Sequence, residues 1–392
     1  MGPAVRDPFD SVAGAFVATW RTFLKDFGAV LLLFVGVFVY SFFYPLPYSN
    51  QLVRGMPIAV VDQDRSALSR QLIRYAAADP LLDVRLISPL AQEAQAALWR
   101  GEVAGVLIIP AGLQKDVSRG TAAKVQAGGN ALYMLMNKSV LNGLTQSVGT
   151  VSAGLEIRHL EANTPSPHQA MAQRAPVTLD AISVFNPDDG YGAYVVPGVV
   201  VIIVQQTLLL AMALLWGTWF ERGERPARRS TPAFFGVLLA FASVAFINSA
   251  YFFGFVYWWQ DYPRGGNFGG MVFFMVLFSL TVAAVGFLLA TFFRTRERGA
   301  QLLLCTAIPF LFVAGFLWPV QALPPLLRAL RWVLPSTAGI EGFIALNQLG
   351  ARLDEIATEI TALLVLLLAA GSAAWWRWRH SGPQPAPTLP AA

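Results

Sequence analysis

Six stretches of this chain run for about 20 residues with hardly a charge, and that constrains its fold more than any other feature. A helix rising about 1.5 Å per residue needs roughly that length to cross a hydrocarbon layer. Residues 27–45, 193–217, 232–259, 268–293, 300–319 and 356–376 meet the requirement, and the third is long enough to tilt. The first is followed by Tyr44-Pro45-Leu46-Pro47 rather than by small residues suited to cleavage, so it reads as a retained span. Charged residues are 13% of the chain, against about 25% in soluble globules. The expected fold class is a mainly α membrane protein of six transmembrane helices, with an α/β domain inserted after the first.

Lysine and arginine in short loops set orientation. Arg6, Arg21 and Lys25 precede the first span; Arg222, Arg225, Arg228 and Arg229 follow the second. Arg294, Arg296 and Arg298 lie between the fourth and fifth, and Arg377 and Arg379 follow the sixth. The short opposite connections hold Arg264, Arg328, Arg331 and Arg352. Both termini are therefore expected in the cytoplasm, in a multi-pass membrane protein. Trp216, Trp219, Phe220, Trp375, Trp376 and Trp378, and at the other end Tyr257, Trp258 and Trp259, read as interfacial anchors.

Residues 1–26 are too polar to span. Phe9, Val12, Phe16, Trp20, Phe23 and Phe27 recur at three- and four-residue steps, which predicts a helix lying in the cytoplasmic interface. Residues 46–192 hold 12 basic and 12 acidic residues and form a water-soluble block, expected outside the cytoplasm, with no nucleic-acid footprint. Strands are predicted at Pro57–Val61, Val84–Ile87, Val103–Ile109, Lys124–Ala127 and Val177–Val184. Helices are predicted at Ser66–Ala78, Pro89–Arg100, Leu113–Ser118 and Ala131–Asn163. The remaining expected parts are a five-helix region at 193–376, with a re-entrant segment at 320–350, and a proline-rich cytoplasmic tail at 377–392.

Asp62 and Asp64 end the first of those strands. Asp-x-Asp in that place is how nucleotide-sugar transferases hold a metal-bound diphosphate. It is also an ordinary strand–helix turn, in which Asp64 or Ser66 caps the helix and the other aspartate is solvated. No phosphate-cradling G-x-x-x-x-G-K-[ST], no G-x-G-x-x-G after a strand, no H-E-x-x-H and no nucleophile elbow occurs. His159, His168 and His380 are scattered, and Cys305 is the sole cysteine, so neither metal-ligand spacing nor an internal disulfide is available.

Two stretches carry a family likeness: FNPDDGYGAYVVPG, approaching the second span, and AGFLWPVQALPPLLRALRWVLPSTAGIEGF, leaving the fifth. With the span count and the inserted block, which opens PIAVVDQDRSALSR, the chain resembles the type-2 ABC exporter permeases, in the branch with a large extracytoplasmic domain that exports drugs or hydrophobic compounds. Asn186, Pro187, Pro197 and Gly198 match the first motif. Gly315, Phe316, Pro319, Pro324, Pro325, Leu334, Pro335 and Glu341 match the second. The resemblance implies that the second stretch forms short helices dipping back into the outer leaflet, where prolines interrupt the helix. Glu341 there either faces an aqueous path or pairs with Arg328 or Arg331. Between the second and third spans the chain reads WFERGERPARRS. Glu221, Arg222, Gly223, Glu224 and Arg225 partly match the family's ATPase-docking pattern, whose Gly-Thr-x-Glu portion is missing.

The resemblance implies a non-catalytic permease with no cofactor of its own. ATP and Mg would be used by a cytoplasmic ATP-binding subunit. A second permease subunit, like or unlike, would complete the pair, and a periplasmic adaptor and membrane lipids are further expected partners. Phe252, Phe253, Phe255, Phe273, Phe274 and Phe278 are candidates to line a greasy path with Glu341, and packed or lipid-facing aromatics account for them as well. Two rivals remain: a membrane-anchored receptor or docking protein that works through its inserted domain, and a glycosyl transferase using Asp62 and Asp64.

Overall fold

The computed structural model describes residues 8–48, 53–119, 121, 123–161, 190–221, 230–315 and 320–380. The chain divides into two compact units, one of residues 1–51 with 183–392, the other of residues 52–182.

The first unit opens with α1 (Val12–Lys25), which Ser11 caps by accepting from the Gly14 N–H at 3.0 Å. Ala15, Thr19 and Phe23 are fully buried; of the expected apolar stripe, Phe16 and Trp20 are half-buried with Phe23 beside them, whereas Val12 and Phe27 are exposed. Asp26 then breaks the helix and caps the next, accepting from Ala29 N–H at 2.9 Å, so α2 (Phe27–Phe43) leaves at 89° to α1. One π turn, Leu31–Val35, loosens α2 and leaves the Leu33 carbonyl to accept from Asn248 Nδ2 at 3.0 Å.

The second unit is a four-stranded sheet with helices on both faces. In chain order it runs β1 (Met56–Asp62), α3 (Ala67–Ala78), β2 (Leu82–Ser88), α4 (Ala91–Trp99), β3 (Gly105–Ile109), α5 (Leu113–Ser118), β4 (Gln126–Gly129) and α6 (Met134–Glu161). The strand order is β2-β1-β3-β4, with β1 parallel to both neighbours and β4 antiparallel to β3. Side chains alternate across a strand. Ile58 and Val60 therefore pack on Leu68, Leu72 and Ala76 of α3 and Val140 and Leu144 of α6, while Ala59 and Val61 pack on Ala94 and Ala97 of α4. Burial on both faces explains why β1 reads as an unbroken apolar run.

Strand β4 lies two residues beyond its expected place, and Gly128 and Gly129, expected to close it, are part of it. A side chain on Gly105 would overlap Val140 and the Gly128 carbonyl, so glycine here lets β3, β4 and α6 approach. Helix α6 starts at Met134 rather than Ala131. The strand expected at Val177–Val184 lies outside the described residues.

The first unit resumes with α7 (Tyr191–Glu221), α8 (Thr231–Trp259), α9 (Phe268–Ala290), α10 (Arg296–Val313), α11 (Pro325–Leu330), α12 (Pro335–Asn347) and α13 (Ala357–His380). Among the described residues, α7, α8, α9 and α13 are long and apolar enough to cross a membrane, or five elements do if the bent α1–α2 pair forms one span. The expected six is not reached. Helix α10 has 18 residues and begins with Arg296, Glu297 and Arg298; the expected fifth span, residues 300–319, runs past its end at Val313 into residues 316–319, which lie outside the described residues. Helix α7 is the best buried and lies centrally, whereas α10 and α13 leave long apolar faces uncovered.

Candidate functional site

The candidate side chains of the helical unit gather at a polar joint and an aromatic cradle. The joint forms where three elements end. Arg296, first residue of α10, sends Nη1 and Nη2 to the two carboxylate oxygens of Asp26 at 2.6 and 3.0 Å, and Nη1 also to Thr218 Oγ1 at 2.8 Å. Its backbone N–H donates to Glu221 Oε1 at 2.9 Å. A two-pronged guanidinium–carboxylate pair fixes direction as well as distance. Gly217 is required here, because a Cβ on it would overlap the Arg296 backbone. The α1–α2 elbow, the end of α7 and the start of α10 are thus held together. Glu221 is part of this joint, whereas Arg222, Gly223, Glu224 and Arg225 lie outside the described residues.

Beside the joint, aromatic residues read as interfacial turn inward. Trp378 is buried against Trp216, Phe234 and Phe287, with ring centres at 6.1, 6.3 and 5.6 Å. Its Nε1 donates to the Ser230 carbonyl at 3.3 Å. Trp216, Trp219, Tyr257 and Trp378 are core residues, which corrects the anchoring assignment; Trp258, Trp259 and Trp376 are exposed. The reason is length. Helices α7 and α8 have 31 and 29 residues, enough to pack against one another beyond a ~30 Å hydrocarbon layer.

The cradle holds α12. Phe343 stacks on Phe253 at 4.3 Å and meets Phe274 and Phe278 edge-on at 4.9 and 5.3 Å. Gly339 and Gly342 lie against Phe278 and Phe274, where any side chain would overlap the rings. Phe252, Phe253, Phe274 and Phe278 are buried, whereas Phe255 and Phe273 are exposed. Of the six phenylalanines expected to line a path, four therefore fill the interior, and Phe255 and Phe273 face outward.

Proline starts both short helices: Pro324 and Pro325 open α11, and Pro335 opens α12. The unpaired N–H of Ser336 donates to Gln205 Oε1 on α7 at 2.7 Å, so a side chain from another helix caps α12. Gly315 takes φ +85° after α10, a conformation suited to glycine. Pro197 and Gly198 are buried within α7; Asn186, Pro187, Phe316 and Pro319 lie outside the described residues. Glu341 pairs with Arg331 at 2.8 Å.

In the second unit Asp62 and Asp64 are structural. Buried Asp62 accepts from the N–H groups of Asp64 (3.2 Å) and Arg65 (2.9 Å) and from the Ser69 hydroxyl (2.9 Å). This holds Arg65 at φ +50°. Asp64 caps α5 through the N–H groups of Gly112 (2.8 Å) and Gln114 (3.1 Å), and Gln114 Oε1 in turn accepts from Ala67 N–H at the start of α3. Desolvation pushes the Asp64 carboxyl up, but hydrogen bonds from Ser66, Gln114 and Gly112 outweigh it and leave the group below the ordinary carboxylate value. Ser66 caps α3 as expected. Neither aspartate is the solvated partner of a simple turn, and no metal-holding group of three acidic, histidine or cysteine side chains occurs among the described residues.

Sequence reasoning missed Asp26, Gln205 and the pairing of Arg296. An isolated acid directly before a span was the available signal for Asp26. Arg296 was counted only as one of many basic loop residues.

A bundle of membrane-length helices that encloses a short proline-started helix, α12, and ties its elements through an ion-paired joint has the parts of a membrane transport subunit. The chain belongs to the ABC-2 family of transporter proteins, whose sequence pattern matches residues 28–376. It is 21% identical over 383 residues to the probable multidrug ABC transporter permease YbhR of Escherichia coli strain K12, covering 93% of this chain and 99% of that one. The probable multidrug ABC transporter permease YbhS of the same strain is 21% identical over 322 residues, 79% of each chain.

Proposed function

We propose that the chain is the permease subunit of an ATP-driven exporter that moves a hydrophobic or amphiphilic solute, drug-like or lipid-like, outward across the bacterial cytoplasmic membrane by alternating access. The membrane subunit is not itself an enzyme; a separate cytoplasmic ATP-binding subunit hydrolyses ATP with Mg. A second permease subunit completes the pair. The chain crosses the membrane six times, through α2, α7, α8, α9, α10 and α13, with both termini inside and the 52–182 unit outside. The uneven placement of lysine and arginine supports that orientation. A periplasmic adaptor would dock on the outer unit.

The observation that carries the reading is the Arg296 joint. It binds the three elements bordering the basic loops, where an ATPase would push. A push on Glu221 or the elbow reaches α7 and α10 together. Movement of α7 shifts Gln205 and with it the capped end of α12. Withdrawal of α12 from its cradle would uncover Phe252, Phe253 and Phe274, with Phe273 and Glu341, as the passage. The test is co-expression with an ATP-binding subunit encoded by a neighbouring reading frame. The reading expects the two to co-purify, and expects a single cysteine placed in residues 52–182 to react with an impermeant thiol reagent from outside the inner membrane. A chain that purifies alone, or a cysteine that reacts only from the cytoplasmic side, rejects it.

A further inference from the structure

A guanidinium carries five N–H donors and stays charged at ordinary pH. Removing it from water is tolerable when those donors find acceptors. Arg331 lies in the turn between α11 and α12, with its side chain only 7% exposed. Nη2 donates to Glu341 Oε1 at 2.8 Å, and the group lies 4.7 Å from the Trp332 ring centre. Nε and Nη1 are buried and have no acceptor among the described residues. The Gly315 turn covers Nη1 so closely that a Cβ there would stand 2.9 Å from it.

The surroundings suit an anion with a tail. Arg328, one turn earlier and exposed, donates Nη2 to the carbonyls of Gln321 and Leu323. Glu341 is the carboxylate paired with Arg331, Glu359 adds a second negative charge near it, and Arg328 adds a second positive one a turn from Arg331. Leu326, Leu330 and Val333 present bare apolar surface on the same short segment. We propose that Arg331, with Arg328 at its mouth, is a receptor for the phosphate group of an amphiphile whose chains cover Leu326, Leu330 and Val333. Phosphate oxygens match the free N–H groups of a guanidinium, and Glu341 acts as the internal competitor that holds Arg331 while the site is empty. Opening requires the Gly315 turn to move. The proposal deepens the permease reading by naming a solute class, and rests on that reading for the leaflet in which the amphiphile arrives.

The test uses the purified full-length protein in neutral detergent, without any ATPase, so failure of ATP coupling and failure of this site are separate results. The probes are dioctanoyl phosphatidylglycerol, dioctanoylglycerol and inorganic phosphate, with binding read by native mass spectrometry and by the shift in melting temperature. Phosphatidylglycerol is expected to bind and stabilise, and the uncharged diglyceride is not. Arg331→Gln should weaken binding by about tenfold, and Glu341→Gln should tighten it by about threefold, because the competitor is gone. If Arg331→Gln does not fold, Glu341→Gln alone decides. Equal binding of the diglyceride, or a Glu341→Gln protein that binds no better than the parent, overturns the proposal. Inorganic phosphate showing the same variant pattern as the lipid would assign the site to the free anion instead.

Discussion

Each unit of this protein is organised around a buried or half-buried aspartate, and the two are held in opposite ways. Asp62 is satisfied within seven residues, by the N–H groups of its own turn and by Ser69. Asp26 is satisfied partly by Ala29 and mainly by Arg296, 270 residues further along. The first is a local knot that organises one β–α turn. The second joins elements that the chain brings together only when the whole bundle is assembled. A local knot stabilises where it stands, whereas a long-range pair can carry a displacement from one element to another.

That contrast can be broken or sharpened in order of expected size. Arg296→Ala strips Asp26 of its cation in a half-buried place, and a loss of about 2–4 kcal/mol is expected, discounted for partial exposure. Thermal unfolding in detergent reads it. Asp26→Ala combined with Arg296→Ala should cost less than the two single changes added together. Gly342→Ala pushes a methyl into the Phe274 ring and should cost about 1–3 kcal/mol, with the 52–182 unit unchanged by hydrogen exchange. Asp62→Ala leaves the Asp64 and Arg65 N–H groups without their acceptor, while the Ser69 hydroxyl keeps the Ser66 carbonyl, and should cost about 2 kcal/mol, with faster exchange confined to residues 62–78.

The smallest effect is a pH dependence. Asp64 titrates below its free value of 3.8 in the folded chain. Its contribution is therefore complete above that value and is lost as pH falls through the lowered native value. Exchange at residues 112–118 should accelerate on acidification below about pH 4, and Asp64→Asn should remove that acid-dependent part. Unchanged acid sensitivity in the variant would show that Asp64 is not the cap that matters.

The same contrast explains what the sequence made legible. Strand β1, helix α3 and the Ser66 cap follow from residues adjacent in the chain, and they lie where the pattern puts them. Membrane-length helices are legible because composition over about 20 residues decides them. Strand β4 slipped by two residues because Gly128 and Gly129, which punctuate a chain, here pair with β3, and Gly129 also lies close against Asn137 of α6. Trp216 and Trp378 look like interfacial anchors until α7, α8 and α13 meet beside them. Glu341 carried two readings, and its pairing with Arg331 is a fact of the folded turn. Asp26 with Arg296, and Gln205 with Ser336, are pairs between distant elements, and although an acid directly before a span marks Asp26, nothing local names its partner.

The most direct measurement is the ATPase rate of the partner subunit, reconstituted in liposomes with the parent chain or with Arg296→Lys, which keeps the charge and loses the two-pronged geometry. A force-carrying joint predicts that the parent complex exports an amphiphilic dye as it hydrolyses ATP, while Arg296→Lys still assembles and hydrolyses ATP but moves little dye. Dye export by Arg296→Lys at the parent's ratio of dye to ATP would contradict it.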